Sequence, residues 1–321
     1  MGHTSVDPAR PRPFGRTGLA VTPICIGTSP LASMPALYGY AVDAERAEAT
    51  VEAVLDGPFT FLDTSNNYGA GTAEERIGAV LRRRGGVPEG FVIATKVDAD
   101  PRTGDFSGER VRRSIEESLS RLGLDSVPVL YLHDPEFHLS FEEAMAPGGA
   151  VEALVALRDE GVAGHLGVAG GHVGLMRQFV ETDVFEAVIN HNRWTLVNQD
   201  AAPLLDDAAA RGVAFVNGAP YGGGMLVKGP DAQPRYAYGE TPEFVRNAAR
   251  SMHQACASFG VPLAAAALQF SLRESRVTST IVGVSHPARI ATTLELATTP
   301  IPDELWSELE RLIPRGGYWL G

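Results

Sequence analysis

Four side chains that are able to take part in proton transfer stand at or just after short apolar runs between residues 61 and 133. One run ends at Asp63 and leads into a polar loop that contains Tyr68, the next run ends at Lys96, and a third ends at His133. An ammonium that ends an apolar strand is rarely buried without a partner, and Asp63 is the natural partner of Lys96. A nearby ammonium also favours the phenolate of a tyrosine, which is otherwise too weak an acid for proton transfer at neutral pH.

Together these groups predict acid–base chemistry on a polarised carbonyl or carbinol. In this interpretation Tyr68 exchanges the proton, Lys96 is held in place by Asp63, and His133 hydrogen-bonds the substrate oxygen. Such a set suits hydride transfer with a nicotinamide cofactor. The rival interpretation is a lyase that forms a Schiff base on Lys96, which needs an uncharged lysine, and an adjacent carboxylate works against that.

Each of the four residues taken alone also has a purely structural explanation. A salt bridge that ties two strands together would account for Asp63 and Lys96, a satisfied core position would account for His133, and loop packing would account for Tyr68. The functional interpretation therefore depends on whether all four side chains reach one face of the fold.

Short apolar runs and longer amphipathic stretches alternate along the chain. Strands are predicted near residues 24, 62, 93, 130, 167, 188, 215 and 281, each followed by a helix. Asp43 and Ser107 are residue types that begin helices, and Gly123 is a type that ends one. The strands are continuously apolar, as in parallel sheets buried on both faces. Eight such units predict an α/β fold, a closed (β/α)8 TIM barrel whose site lies at the carboxyl ends of the strands. An open doubly wound sheet with a small second domain is the alternative.

The chain of 321 residues is expected to form one barrel domain over residues 14–321, after a flexible segment at 1–13. That segment is polar, contains three prolines and lacks the apolar centre of a secretory signal. The longest apolar run, 261–268, contains a proline and falls far short of the roughly 20 residues of a membrane span. We therefore expect no membrane association.

Net charge and cysteine content limit the kinds of partner and the cellular compartment that we expect for this chain. The chain has 27 basic and 39 acidic residues and a net charge of -12, so a nucleic-acid partner is not expected. Cys25 and Cys256 are the two cysteines, a usage that suits the reducing cytoplasm, and a disulfide between them is not needed at this size. No His-x-His or Cys-x-x-Cys pattern occurs, so no metal site is predicted. A small-molecule substrate is expected, with a monomer and a homo-oligomer both open.

The motifs resemble those of the aldo-keto reductase superfamily over residues 14–312. They are FGRTGL at 14–19, FLDT through YG at 61–69, TK at 95–96, RLGLD at 121–125 and YLHD at 131–134. The resemblance implies an NAD(P)-dependent oxidoreductase with a catalytic tetrad of Asp63, Tyr68, Lys96 and His133, in which Tyr68 is the general acid/base. It also implies that Glu74 braces the site through an arginine.

The second half of the chain is most similar to D-threo-aldose 1-dehydrogenases of the L-fucose dehydrogenase type. The similar segments are NRWTL at 192–196, GAPYGGG at 218–224, YAY at 236–238 and VPLAAAALQF at 261–270. The implied reaction is oxidation of an aldose such as L-fucose at C1 to the lactone, or reduction of a small aldehyde or ketone. Trp194, Tyr236 and Tyr238 are then expected at the substrate mouth, with ordinary loop packing as the alternative for each.

The resemblance also implies cofactor contacts near the carboxyl ends of the strands. The residues at those positions are Gly27, Thr28, Asp63, Ala169, Gly170, Asn190, His191, Tyr221, Gly222, Gly224, Gly283 and Arg289. Ala169 and Gly170 replace a serine–asparagine pair, and His191 replaces a glutamine. Gly218 replaces an aromatic that stacks on the nicotinamide, a role for which Trp194 and Tyr221 are candidates. A lysine that grips the NADP 2′-phosphate is missing at Gly283, so NAD and NADP both stay open.

Backbone groups offer a second source of cofactor contacts. The glycine-rich loop 222–224 and the helix that begins near Pro287 are able to direct N–H groups at a pyrophosphate, although turn geometry alone would also explain the glycines. Because several cofactor positions depart from the superfamily, a non-catalytic protein that senses the redox state of the cofactor is a further alternative. Neither the physiological substrate nor the direction of the reaction follows from the sequence.

Overall fold

The computed structural model describes residues 6–237, 239–314 and 320. Eight parallel strands close into a barrel in the order β10-β3-β4-β5-β6-β7-β8-β9, and a separate antiparallel hairpin pairs β1 with β2. The strands are β1 Arg12–Pro13, β2 Ala20–Val21, β3 Ile24–Gly27, β4 Phe61–Asp63, β5 Val92–Val97, β6 Val127–His133, β7 Ala163–Gly170, β8 Ala187–His191, β9 Ala214–Gly218 and β10 Val277–Gly283. The predicted (β/α)8 barrel is confirmed, and the open doubly wound sheet is excluded because β10 pairs with both β3 and β9.

Helices follow the strands around the outside of the barrel. Their bounds are α1 Pro35–Tyr38, α2 Ala44–Leu55, α3 Thr72–Arg84, α4 Gly108–Leu122, α5 Phe141–Met145, α6 Ala150–Asp159, α7 Val173–Glu181, α8 Ala202–Ala210, α9 Met225–Lys228, α10 Glu243–Ser258, α11 Leu263–Leu272, α12 Ala288–Thr298 and α13 Asp303–Leu312. Asp43 and Ser107 cap α2 and α4 as predicted, by accepting hydrogen bonds from the backbone N–H groups of Arg46 and Arg110.

The hairpin and the short helices α1, α5 and α9 were not foreseen. Elements of two to five residues leave too little periodic pattern to be recognised, and their stability comes from tertiary contacts. In the hairpin, Arg12 donates a hydrogen bond to the carbonyl of Thr278 and Phe14 is fully buried with its ring edge-on to Phe61. Residues 12 and 13, which we expected in the flexible segment, are thus attached to the barrel.

The barrel interior is filled by residues that alternate along the barrel strands, together with Phe14 and Val21 from the hairpin. They are Phe14, Val21, Cys25, Phe61, Val92, Ala94, Val129, Tyr131, Ala169, Ala187, Ile189, Ala214 and Val216. Tyr131 is the largest of them, and it fits because a Cβ at Gly167 on the neighbouring strand would lie 2.3 Å from its ring. The strand side chains at the intervening positions point away from the interior and pack between the strands and the helices. The alternation determines which polar residues face inward at the carboxyl rim.

Both cysteines are buried and unbridged. Cys25 lies in the barrel interior, whereas Cys256 packs in a separate cluster on α10. In the described part of the chain, no single helix has the length and apolar character to cross a membrane. The consecutive helices α10 and α11 reach that threshold only when they are taken together, and they are bent by 104° relative to each other.

Candidate active site

On three neighbouring strands, the side chains alternate between the barrel interior and its outside. The last inward-facing position of each of these strands is an ionisable residue. On β4 the interior position Phe61 is followed two residues later by Asp63, on β5 Ala94 is followed by Lys96, and on β6 Tyr131 is followed by His133. Because the strands are parallel and adjacent, their carboxyl ends form one rim. The alternation that builds the core therefore also brings the three side chains to one face.

Lys96 is at the centre of this group. Its Nζ atom donates hydrogen bonds to Asp63 Oδ1 at 2.6 Å, to the carbonyl of Thr64 at 2.7 Å and to the phenolic oxygen of Tyr68 at 3.1 Å. The Lys96 and Asp63 side chains are only 2% and 3% exposed. All three ammonium protons therefore have oxygen acceptors, as a buried ammonium requires.

Asp63 contacts both Lys96, through its side chain, and Thr28, through its backbone carbonyl. Burial raises the pKa of Asp63 above its usual range, and the Lys96 ammonium limits the rise. Its Oδ1 atom accepts from Lys96, whereas Oδ2 is buried and has no hydrogen-bond partner among the described residues. The Asp63 carbonyl accepts from both the backbone N–H and the hydroxyl of Thr28. One buried acceptor atom of the aspartate is thus left without a partner in the described structure.

The loop that carries Tyr68 is supported from behind by buried charged groups. Arg121 contacts Glu74 Oε2 at 3.2 Å and the carbonyl of Asn66 at 3.0 Å, and Thr95 donates to Glu74 Oε1 at 2.6 Å. Arg110 donates to the Asn66 side-chain oxygen at 3.1 Å. Glu74 is fully buried. The structure therefore links Glu74 to the site through Arg121, the arrangement that the superfamily resemblance implied.

His133 has a carboxylate on either side of its ring. Its Nδ1 atom lies 2.7 Å from Asp98 Oδ1, and its Nε2 atom lies 3.6 Å from Asp134 Oδ2. Burial lowers the pKa of His133, but the Asp98 and Asp134 carboxylates outweigh it and raise the pKa above the usual value. The ring meets that of Tyr68 edge-on, with centroids 5.8 Å apart. All four members of the predicted tetrad are thus assembled at one place.

A second polar layer lies outside His133. His191 ends β8 in the inward phase, and its Nε2 atom is 3.4 Å from Asp134 Oδ1. Asp134 adopts a left-handed backbone with φ +45°, as does Asn192 with φ +62°. Non-glycine residues in this conformation are uncommon and often occur at functional sites. His191, one of the predicted cofactor positions, thus has its side chain at the rim.

The predicted cofactor positions on β7 and β8 present fewer polar groups than a serine–asparagine pair would. Ala169 faces the interior with a methyl group. A Cβ at Gly170 would lie 2.4 Å from Glu136, so that carboxylate occupies the space of a side chain. Asn190 is out of phase with the interior and donates its amide to the carbonyls of Gly170 and Gly171, which leaves only its oxygen unpartnered in the described structure.

On the other side of the rim, the predicted glycine positions are closely packed. A Cβ at Gly27 would lie 2.7 Å from Ile281, and one at Gly283 would lie 3.2 Å from Pro30. Gly222 has φ +55°, and a Cβ there would lie 2.1 Å from the Tyr236 ring. These glycines are needed for the packing of the rim, whatever contacts they make with a ligand.

Backbone donors in the glycine-rich loop are largely engaged within the protein. The N–H groups of Gly222 and Gly224 donate to the carbonyls of Ala219 and Tyr221. The first N–H groups of α12 likewise bond to the preceding turn, including that of Arg289 to His286. The Tyr221 hydroxyl, by contrast, is buried without a hydrogen-bond partner in the described structure, and the Arg289 charge acts on it. Side chains, rather than loop amides, are therefore the free polar groups on this side.

Two of the three residues predicted at the substrate mouth require correction. Trp194 is 7% exposed and packs on Phe270 with ring centroids 5.5 Å apart. Tyr236 is fully buried, and its hydroxyl bonds Thr195 and the carbonyl of Asn192. Packing, the alternative explanation, accounts for both residues. The third, Tyr238, lies outside the described residues.

Asp98 and Ser65 contact His133 and were missed by the sequence reasoning. Ser65 donates to Asp98 Oδ2 at 2.5 Å, and its hydroxyl lies 3.0 Å from His133 Nδ1. A signal did exist, because Asp98 stands two residues beyond Lys96 and so continues the inward phase of β5 past the end of the strand. Ser65 had no such signal, since it lies in an irregular loop.

Comparison with known proteins agrees with this geometry. The model of the Aldo/keto reductase family matches residues 23–314, which include every strand and helix of the barrel. The chain belongs to the aldo/keto reductase family. This aldo/keto reductase is also 33% identical to D-threo-aldose 1-dehydrogenase from a Pseudomonas species, over 85% of this chain and 90% of that protein.

Two further relatives extend the comparison. Pyridoxal 4-dehydrogenase from Microbacterium luteolum is 30% identical over 93% of this chain and 96% of its own length. The structure of an aldo-keto reductase from Bacillus halodurans in its holo form superimposes with a TM-score of 0.78 at 19% identity, over 97% of this chain and 98% of that one. The structural match supports the fold of this aldo/keto reductase, and the resemblance inferred from its motifs is confirmed.

Proposed function

We propose that this protein is an NAD(P)-dependent oxidoreductase that oxidises an aldose such as L-fucose at C1 to the lactone, or reduces a small aldehyde or ketone, with Tyr68 as general acid/base. The observation that carries the proposal is the hydrogen bond between the Lys96 ammonium and the Tyr68 oxygen, with Asp63 behind the lysine. The half-exposed Tyr68 and the buried ion pair together make a proton-exchanging group at an accessible rim.

The residues at the rim fit a nicotinamide cofactor. Asp63 Oδ2 and the Tyr221 hydroxyl are buried polar atoms without partners among the described residues, and such atoms destabilise a protein unless a ligand or water satisfies them. The hydroxyl-rich, polar cofactor is able to satisfy both. Arg289, exposed near the start of α12, supplies a positive charge for its anionic part. When bound, the nicotinamide supplies the acceptor or donor of the hydride.

Each member of the tetrad has a separate task in the oxidative direction. Tyr68 accepts the proton of the C1 hydroxyl group while the C1 hydrogen leaves with its electron pair. Lys96 stabilises the phenolate of Tyr68 at 3.1 Å, and Asp63 keeps the lysine charged and oriented. His133 binds the substrate oxygen through Nε2. In the reductive direction the same proton returns from Tyr68 to the oxygen.

The contacts of Lys96 argue against the Schiff-base lyase. A nucleophilic lysine must be uncharged, whereas Lys96 directs its three protons at Asp63, Thr64 and Tyr68. Trapping with borohydride in the presence of the aldehydes named below is therefore expected to leave Lys96 unmodified.

The nature of the substrate is supported by two observations. The relatives named above include a D-threo-aldose dehydrogenase and a pyridoxal dehydrogenase. Asp134, Glu136 and His191, which each place one side-chain nitrogen or oxygen atom within 4.8 Å of those of the others, also offer several hydrogen-bonding groups to a polyhydroxylated molecule. Glu136 Oε2 is buried without a hydrogen-bond partner among the described residues, and an apolar substrate would leave it so.

A substrate panel monitored at 340 nm tests the proposal. L-Fucose, other aldoses, pyridoxal and small aldehydes are assayed in both directions, with NAD and NADP side by side. We expect turnover of at least one aldose with one of the two cofactors. Absence of turnover across the panel with both cofactors would contradict the proposal, and tight cofactor binding without turnover would favour a redox-sensing binding protein instead.

A further inference from the structure

We propose that Asp98 is a positioning residue that holds His133 as a cation with its Nε2–H group directed at the substrate oxygen. The catalytic meaning of this inference rests on the proposed function, whereas the charge and orientation of His133 are properties of the protein alone. Asp98 itself lies behind the histidine, so it acts through His133 and not on the substrate.

Hydrogen bonding defines which ring nitrogen faces the carboxylate. Asp98 Oδ1 lies 2.7 Å from His133 Nδ1, and Oδ2 accepts from the Ser65 hydroxyl at 2.5 Å and from the backbone N–H of Asn67 at 3.0 Å. Asp98 is only 6% exposed, and its burial opposes the charge, but the His133 charge and the hydrogen bonds to the carboxylate lower its pKa and favour the ionised form. Because an ionised carboxylate only accepts, Nδ1 of His133 must carry a proton.

The backbone of Asp98 is itself held in place. Its N–H group donates to the Ser114 hydroxyl at 3.0 Å, and its carbonyl accepts from Arg110 Nε at 3.0 Å. Both partners lie on α4, the helix that follows β5. The carboxylate therefore has a defined position relative to β6, where His133 ends the strand. A similar carboxylate behind an imidazole sets orientation and tautomer in hydrolytic triads.

The proton on Nδ1 has a consequence for the other nitrogen. A neutral histidine that is protonated on Nδ1 carries a lone pair on Nε2 and donates nothing to a substrate oxygen. Only the cation has N–H groups on both sides of the ring. His133 must therefore be charged if it is to hydrogen-bond and polarise a carbonyl.

The surroundings favour that cation on balance. Asp98 contacts Nδ1 and Asp134 lies 3.6 Å from Nε2, with Asp63 more distant. The Lys96 ammonium opposes the charge, and burial also disfavours it. The remaining titratable neighbours are Tyr68, which meets the ring edge-on, and His191, which bonds Asp134 from the far side. The two close carboxylates outweigh the single ammonium, because the charge–charge interaction weakens with distance.

Nitrogen-15 NMR of the histidine rings tests the inference without any substrate. The His133 signals are assigned by comparison with His133→Gln, and their pH titration is recorded for the wild type, Asp98→Asn and the control Asp125→Asn, which removes an equal charge at an exposed site. In the wild type we expect both ring nitrogens of His133 to be protonated at pH 7. In Asp98→Asn we expect the titration midpoint to fall by about one pH unit or more, with Asp125→Asn unchanged.

The wild-type spectrum alone is able to overturn the inference. A His133 ring that is neutral at pH 7, or that carries its proton on Nε2 only, contradicts it even if Asp98→Asn does not fold. An unchanged midpoint in folded Asp98→Asn contradicts it as well. Failure of the substrate panel would count against the proposed function and leave these spectra as they are.

If a substrate is found, kinetics provide a second measurement. Asp98→Asn is expected to lower kcat by up to about 100-fold, to move the alkaline limit of the kcat profile to lower pH, and to leave the KM for the cofactor unchanged. A role confined to folding would lower the amount of active protein without moving the pH profile. An alkaline limit that stays in place would therefore contradict the positioning role.

Discussion

The Nζ atom of Lys96 lies 3.1 Å from the phenolic oxygen of Tyr68 and 4.7 Å from the centre of its ring. The lysine is on β5, whereas the tyrosine is in the loop after β4, and the parallel pairing of these two strands brings them together. The ammonium is thereby placed where it stabilises the phenolate, while Asp63 compensates its charge from the other side. The proposed proton exchange depends on this arrangement.

Replacing Tyr68 by phenylalanine removes the proton-exchanging oxygen and keeps the ring. We expect kcat to fall by about 100- to 10,000-fold, the usual contribution of a general acid/base, while cofactor affinity is kept. Steady-state kinetics and cofactor fluorescence titration measure the two quantities. A kcat close to that of the wild type would refute the role of Tyr68.

Replacing Lys96 by methionine leaves Asp63 buried without its partner. Breaking a buried ion pair on one side costs about 3–5 kcal/mol, because an uncompensated charge remains. Urea unfolding should show this loss, and the double variant Asp63→Asn/Lys96→Met should recover part of it. Arg158→Met, which breaks the exposed pair with Asp159, is the control and should change little. Equal losses of unfolding free energy in Lys96→Met and Arg158→Met would contradict this explanation.

Gly78 on α3 is in contact with the carbonyl of Arg121, the residue that supports the Tyr68 loop. A Cβ at Gly78 would lie 1.9 Å from that oxygen, so Gly78→Ala is expected to destabilise the protein by about 1–3 kcal/mol and to lower activity through the displaced loop. Gly174 on α7 is the matched control, since a Cβ there would lie no closer than 3.2 Å to the His172 ring and has no backbone atom among its close neighbours. Gly174→Ala is expected to be neutral or slightly stabilising. Thermal and urea unfolding of both variants check the difference.

Tyr236→Phe distinguishes packing from substrate contact. The hydroxyl bonds Thr195 at 2.7 Å and the Asn192 carbonyl at 2.8 Å, so its loss is expected to cost about 1–3 kcal/mol of stability. The order of preference among substrates should stay unchanged. Tyr40→Phe, at a 40% exposed tyrosine, is the control for stability. A changed substrate preference in Tyr236→Phe would revive the contact predicted from the sequence.

The pairing of His133 with Asp98 predicts how stability depends on pH. The raised pKa of His133 stabilises the folded state below the ordinary histidine value of about 6.5, and the contribution is lost as the pH rises through the folded value. The lowered pKa of Asp98, whose burial is outweighed by the His133 charge, stabilises above about 3.9 and is lost as the pH falls through its folded value. The pair thus contributes most between about pH 4 and 6.5.

Melting temperatures of the wild type and His133→Gln across pH 3–9 measure this contribution as their difference. The difference should be largest near pH 5–6 and decline on both sides. A pKa difference of one between the folded and unfolded states corresponds to about 1.4 kcal/mol. His253→Gln, at an exposed histidine on α10, is the control. A flat difference between the wild type and His133→Gln would contradict the assigned charges.

Some local features could be predicted because they depend on neighbours in the chain. Asp43 and Ser107 cap their helices through backbone groups three residues away, and each of the eight predicted strand positions lies within a strand of the barrel. The alternation of inward-facing and outward-facing side chains along the strands could also be predicted. It brings Asp63, Lys96 and His133 to one rim because the strands are parallel. The short hairpin and the short helices lacked such a pattern.

The wrong predictions for two residues at the substrate mouth have a different cause. Trp194 and Tyr236 are aromatic residues in loops, and a loop sequence does not show whether a ring faces the mouth or the core. The direction of each ring depends on partners far along the chain, Phe270 for Trp194 and Gly222 for Tyr236. The same is true of Glu136, which takes the space beside Gly170.

By itself, the sequence determined the barrel and the family and predicted the four residues of the tetrad, because residue type, periodicity and motif spacing are properties of a linear chain. The tertiary structure alone decided that Asp98 and Ser65 stand behind His133, that Arg121 reaches Glu74, and that the N–H groups of Gly222 and Gly224 are engaged within the protein. The physical reason is that hydrogen bonds and charge interactions act over a few ångströms of space, between residues that only the closed barrel brings together.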